Sequence, residues 1–150
     1  MKIGDIMNRA PVTVQQGQTF AEAFKLMLEQ RSSNLPVVDA QGAYLGNFDL
    51  RDVWNVLLPK ATQLSRKSLE DLSFVSGSID RYKDRLAEVA GDPVTRFVNK
   101  SDQPAVHPDT PVTQAMLQLD TVNEAIAVVD RKTHHVVGVV TAWEILDALR

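Results

Sequence analysis

Cysteine is absent from the chain. That absence excludes disulfides, thiolate metal sites and thiol nucleophiles, and it fits a reducing cytoplasm. No run approaches the roughly 18 apolar residues that a membrane-spanning helix needs. No apolar stretch follows Lys2 as a signal peptide would require. The expectation is a soluble, cytoplasmic protein with no membrane partner. Positive charge is not in excess: 16 Lys and Arg stand against 19 Asp and Glu, a net charge of −3, which argues against a general nucleic-acid binder. Signatures of catalysis are missing too, with no Gly-x-Ser-x-Gly elbow, His-Glu-x-x-His helix or Gly-x-x-x-x-Gly-Lys loop. His134 and His135 are adjacent, so on a strand they point to opposite faces and chelate poorly. Neither an enzyme nor a metal site is expected.

What the chain does contain is an internal repeat. Val12-Thr13-Val14 through Phe20 recurs as Pro104-Ala105-Val106 through Val112. Pro36-Val37-Val38-Asp39 recurs as Ala127-Val128-Val129-Asp130, and Tyr44 through Asp49 recurs as Val136 through Thr141. The order and the nearly constant offset carry the argument. Helical periodicity repeats as well: Phe20, Ala23, Phe24 and Met27 match Val112, Ala115, Met116 and Leu119. Leu50, Val53, Trp54 and Leu57 match Ala142, Ile145, Leu146 and Leu149. Each copy therefore reads strand, helix, strand, strand, helix, with these stripes as core positions.

Local signals mark the boundaries. Thr110 before Pro111 reads as a helix N-cap, and Thr19 with Glu22 as a capping box, although the repeat sets Gln18 opposite Thr110. Gly42 and Arg131-Lys132-Thr133 mark turns between the two apolar strands of each copy. Between the copies lies an insert over residues 59–93. Ile79, Tyr82, Leu86 and Val89 recur there at helical spacing, and a second short helix is expected over Ser68–Val75. The apolar content of the insert implies that it packs against this module or a partner.

These residues resemble a known family. Val12-Thr13-Val14, then Asn34-Leu35-Pro36-Val37-Val38-Asp39, then a Gly46 strand leading into Asp49-Leu50-Arg51-Asp52, is similar to a cystathionine-β-synthase-type (CBS) motif. The segment ending Gly138-Val139-Val140-Thr141-Ala142-Trp143-Glu144 resembles a second. The resemblance implies an α/β fold in which tandem β-α-β-β-α motifs, residues 1–58 and 94–150, form one pseudo-two-fold pair. It further implies a homodimer and clefts for an adenosine-containing ligand such as AMP, ADP, ATP or S-adenosylmethionine, with no cofactor required. Since no catalytic domain is recognised, the regulated partner is expected in trans and is unknown.

The family signature is Ser or Thr, two variable residues, then an Asp that holds ribose hydroxyls. Copy one supplies Asp52 but has Asp49 in place of Ser or Thr; Arg51 is the cation that would offset the second carboxylate. Copy two supplies Thr141, with Glu144 one methylene longer than Asp. The resemblance places the adenine near Thr13, Leu35 and Pro36 in copy one, and near Ala105 and Ile126 in copy two. Physically, a carboxylate can accept two bonds from a vicinal diol, and an apolar slot can sandwich a base. A plainer reading stands beside this one: Thr141 with Glu144 is also a good capping box, and Asp49 a good N-cap. On that reading the chain is a structural or interaction module with degenerate sites.

Overall fold

The computed structural model describes residues 1–58, 79–98, 105–119 and 124–150. The expected helix over Ser68–Val75 lies outside them. Copy one contains β1 (Val14–Gln15), α2 (Phe20–Gln30), β2 (Asn34–Val38), β3 (Tyr44–Asp49) and α3 (Leu50–Leu57). Copy two contains a single bridge residue, Val106, where copy one has β1. It continues with α5 (Val112–Gln118), β4 (Ile126–Val129), β5 (Val136–Val140) and α6 (Ala142–Ala148). A short helix α1 (Ile3–Ile6) opens the chain, α4 (Ile79–Val89) precedes copy two, and copy two opens with a 3-10 turn (Val94–Phe97).

The repeat extends to the register of the strands. β1 runs parallel to β2 with Val14 opposite Val37, and Val106 runs parallel to β4 opposite Val128. β2 pairs antiparallel with β3, and β4 with β5. Both hairpins carry an irregularity at the same place, Val37/Val38 in one and Val128/Val129 in the other. Gly42 sits at φ 89° in the first turn, a backbone conformation that glycine adopts without the strain a Cβ brings. Asp39 and its counterpart Asp130 hold the two turns alike, each carboxylate accepting two backbone N–H groups further along.

The described residues form two apolar cores, and each borrows from the other end of the chain. The first gathers Val14, Phe20, Ala23, Met27, Leu35, Val37, Phe48 and Val53, and it is completed by Val94 from the start of copy two. Phe20 meets Phe48 edge-on at 5.5 Å and Phe97 at 4.9 Å. Leu86 and Val89 of α4 pack on this core, so that part of the insert is built into the molecule. The second core gathers Val106, Ala115, Ile126, Val128, Val140 and Ile145, and takes Ile3 and Met7 from the N-terminus. Backbone bonds fix the exchange. Ile3 N–H donates to Thr110 O and Val94 N–H to Gln18 O, both at 2.8 Å, and Asn8 pairs with Val139 in both directions. Gly138 makes room for this strap, since a Cβ there would lie 2.7 Å from Met7 Sδ and 2.8 Å from Asn8 O.

The two copies meet where a residue of one touches its own counterpart in the other. Asn34 Nδ2 donates to Ala125 O at 2.6 Å, and Ala125 N–H returns to Asn34 Oδ1 at 2.8 Å. At the hairpin tips Ala43 bridges His135, and Tyr44 N–H donates to His134 O. Val38, Ala127, Val129 and Val139 are buried outside both cores.

Several stripe positions differ from expectation. Trp54, Met116, Leu146 and Leu149 are exposed, between 49% and 69%, because each helix is short and only one of its edges meets the sheet. Ile79, expected on the inward face of α4, is exposed as well. Thr110 does not cap α5. Its Oγ1 accepts the His107 N–H at 3.0 Å, and the helix starts one residue later behind Pro111. Gln18, aligned with Thr110, does the same for Gln15 at 2.8 Å. Thr19 caps α2 as its spacing with Glu22 suggests.

Candidate functional site

Both signature segments lie at the end of a strand where it turns into a helix, β3 into α3 and β5 into α6. At the first, Asp49 is the N-cap of α3 and forms a reciprocal box with Asp52. The Asp49 N–H donates to Asp52 Oδ2 at 2.8 Å. Asp52 is 7% exposed, and a carboxylate so buried needs such partners. Arg51 lies exposed in the first turn of α3. At the second, Thr141 caps α6 and accepts the Trp143 N–H, while its own N–H and hydroxyl both donate to Glu144 Oε2.

The segments stand on either side of the copy junction. Asn34 is the register partner of Asp49. Ala125, which holds the Asn34 amide, directly precedes the strand whose first residue, Ile126, pairs with Val140 beside Thr141. One clamp thus lies between the two signatures.

The remaining expected residues divide into two groups. Leu35 and Ile126 place their side chains in the first and second cores, so what they can offer a ligand is backbone. Pro36 is buried opposite Asn47, outside the core cluster. Thr13 and Ala105 are half-buried just ahead of the first strand position of each copy. Thr13, Pro36, Asp49 and Asp52 therefore lie toward one end of the first sheet, across its three strands, as Ala105, Thr141 and Glu144 lie toward one end of the second.

Sequence reasoning passed over Asn34, Tyr44 and Asn47. Burial, then the charge of Asp49, push the Tyr44 phenol from 10.0 up to about 12, and a hydrogen bond from Asn47 lowers it in part. Asn47 is 6% exposed. The signal available in the sequence was the pair of asparagines inside otherwise apolar strands, where copy two has Ala125 and Val139.

Other candidates have ordinary partners. His107 Nδ1 lies 2.8 Å from Val129 O, and Arg131 is paired with Asp109. An open depression on the surface is lined by Trp143, Glu144, Leu146, Asp147 and Arg150, all from α6 and the residues after it. It joins none of the expected residues except Glu144. Among the described residues no group of three or more potential metal ligands occurs, and no helix is long and apolar enough to cross a membrane.

Comparison with known proteins agrees with this architecture. The family model of the CBS domain matches residues 3–53 and 94–150. Protein SDS23 of Candida albicans is 33% identical over 81 residues, which is 54% of this chain but 12% of that protein. The crystal structure of CBSX2 from Arabidopsis thaliana superposes with a TM-score of 0.72 at 20% identity, over 99% of this chain and 93% of that one. CBSX2 has also been solved in complex with AMP. The CBS domain pair of MJ0100, in complex with 5′-methylthioadenosine and S-adenosylmethionine, superposes with a TM-score of 0.61 at 20% identity, over 99% and 95% of the two chains. At such identities these likenesses show the fold. The two family matches cover both copies of the repeat and most of the chain, and this protein belongs to the CBS-domain family.

Proposed function

We propose that this chain is a regulatory module rather than an enzyme. On this reading it binds an adenosine-containing ligand (AMP, ADP, ATP or S-adenosylmethionine) and passes occupancy on as a change of shape. The observation that carries the reading is the buried carboxylate of Asp52, held at the start of α3 beside Asp49 and the copy junction. A carboxylate there offers two acceptors to a ribose diol, and solved relatives of the same fold hold AMP or S-adenosylmethionine. Because the Asn34 clamp lies between the two signatures, a ligand in either cleft would press on the joint between the copies. The apolar side chains left exposed on α5, on α6 and just after it, Met116, Leu117, Trp143, Leu146 and Leu149, suit a homodimer, through which the change would reach a regulated protein.

One observation favours a second reading. Both signature carboxylates already serve as helix caps, which is all that a structural module with degenerate clefts would need of them.

Thermal unfolding with and without AMP, ADP, ATP and S-adenosylmethionine separates the two. Ligand at about a hundred times its dissociation constant stabilises by roughly 2.7 kcal/mol, on the order of 5–10 °C for a chain of this size. Asp52→Asn keeps an oxygen for the cap but removes the charge, and it is expected to abolish the shift if the ligand sits in copy one. A shift that survives it points to Thr141 and Glu144. No shift with any of the four favours the structural reading.

A further inference from the structure

Superposing the two copies in sequence register exposes a chemical difference between their clefts. Where copy one carries Tyr44, Asn47, Asp49 and Asp52, copy two carries Val136, Val139, Thr141 and Glu144. The strand face beside the first signature is polar, and that beside the second is largely apolar. Phe48 points into the first core, so Asn47, its neighbour on β3, points to the opposite face, toward copy two. That face carries Tyr44, whose ring lies 6.5 Å from that of His134 in copy two. Asn47 lies near enough to the Tyr44 phenol to lower its pKa in part. The Asn47 Oδ1 is buried and meets no hydrogen-bond donor among the described residues. A buried carbonyl oxygen without a donor is costly, and most such atoms have a partner in the working protein.

We propose that Asn47 Oδ1 is the base-reading acceptor of the copy-one cleft, receiving an N–H from the exocyclic 6-amino group of the purine. The inference rests on the nucleotide reading above and deepens it. Asn47 and Asp49 are two residues apart on one strand face, about 6.6 Å along the strand, so base and ribose would be held from the same β3. Pro36, the register partner of Asn47, supplies an apolar wall. A 6-oxo purine presents an acceptor to this oxygen and is repelled, and a purine without a 6-substituent leaves it empty. Copy two, with Val139 in this place, has no means of making the distinction.

The test is isothermal titration of the wild-type chain with AMP, purine riboside 5′-monophosphate and IMP, repeated with Asn47→Val, which copies the residue of copy two. AMP is expected to bind the wild type at least about tenfold more tightly than either analogue. Asn47→Val should bring AMP down to the affinity of the purine riboside compound while leaving that compound unchanged. The proposal is overturned if the wild type binds AMP and the purine riboside compound equally, or prefers IMP. It is also overturned if Asn47→Val folds and keeps the preference, for then a buried water serves Oδ1. The wild-type series stands alone if the variant does not fold. If the wild type binds none of the three, nor ADP, ATP or S-adenosylmethionine, the nucleotide reading falls and this inference with it.

Discussion

Single residues decide how the two copies differ, and Tyr44 offers the most direct measurement. Its phenol is raised from 10.0 to about 12, chiefly by burial. The folded state therefore prefers the neutral form. That contribution to stability is complete below about pH 10 and is lost as pH climbs through about 12. The chain has two tyrosines, so absorbance titration of the phenolates can resolve them. One step near pH 12 is expected in the folded protein and should vanish in Tyr44→Phe, whose stability should also fall less steeply between pH 10 and 12. A Tyr44 step near pH 10 in the folded protein would show that the phenol is not shielded from solvent at the copy junction.

At the scale of elements, local propensity and tertiary contact contributed unequally. Thr19 and Glu22 start α2 as their spacing implies, because a cap needs only residues within one turn. Thr110 has the same chemistry, yet it bonds the His107 N–H ahead of the helix. Glycine shows the same division. A Cβ added at Gly17 would meet nothing within 4 Å, whereas one at Gly138 would lie closer to Met7 and Asn8 than any Cβ can stand. Gly138→Ala is accordingly expected to cost about 1–3 kcal/mol, and Gly17→Ala well under about 1 kcal/mol. Chemical denaturation of both variants checks this, and equal midpoints would mean that the N-terminal strap is not seated against β5.

At the scale of the whole molecule, neither copy owns its core. Ile3 and Met7 complete the second, and Val94 completes the first. Removing residues 1–9 would take two buried side chains out of the second core, at about 2–5 kcal/mol each, against a total stability for ordinary domains of about 5–15 kcal/mol. The truncated chain is expected to lose the cooperative unfolding of copy two. The intact chain should unfold in a single calorimetric transition. Two separate transitions in the intact chain would show that the exchange of segments does not couple the cores.

Much of the fold was legible in the sequence, since strands and helices announce themselves through period and the repeat announced itself twice. Pro36-Val37-Val38 and Ala127-Val128-Val129 became paired strands because an apolar run has few other stable settings. The signature residues were legible as caps: Asp49 with Asp52 and Thr141 with Glu144 lie three apart on one helical turn. Exposure of Trp54, Leu146 and Leu149 was not legible, because periodicity gives a face and not what covers it. Nor was the role of Asn34, whose partner Ala125 stands 91 residues away. The sequence by itself determined the elements, the duplication and the local caps, all governed by neighbours along the chain. Only the tertiary structure decided which segment completes which core, where the copies clasp and which buried amides met no donor among the described residues, because those contacts join residues that the chain keeps far apart.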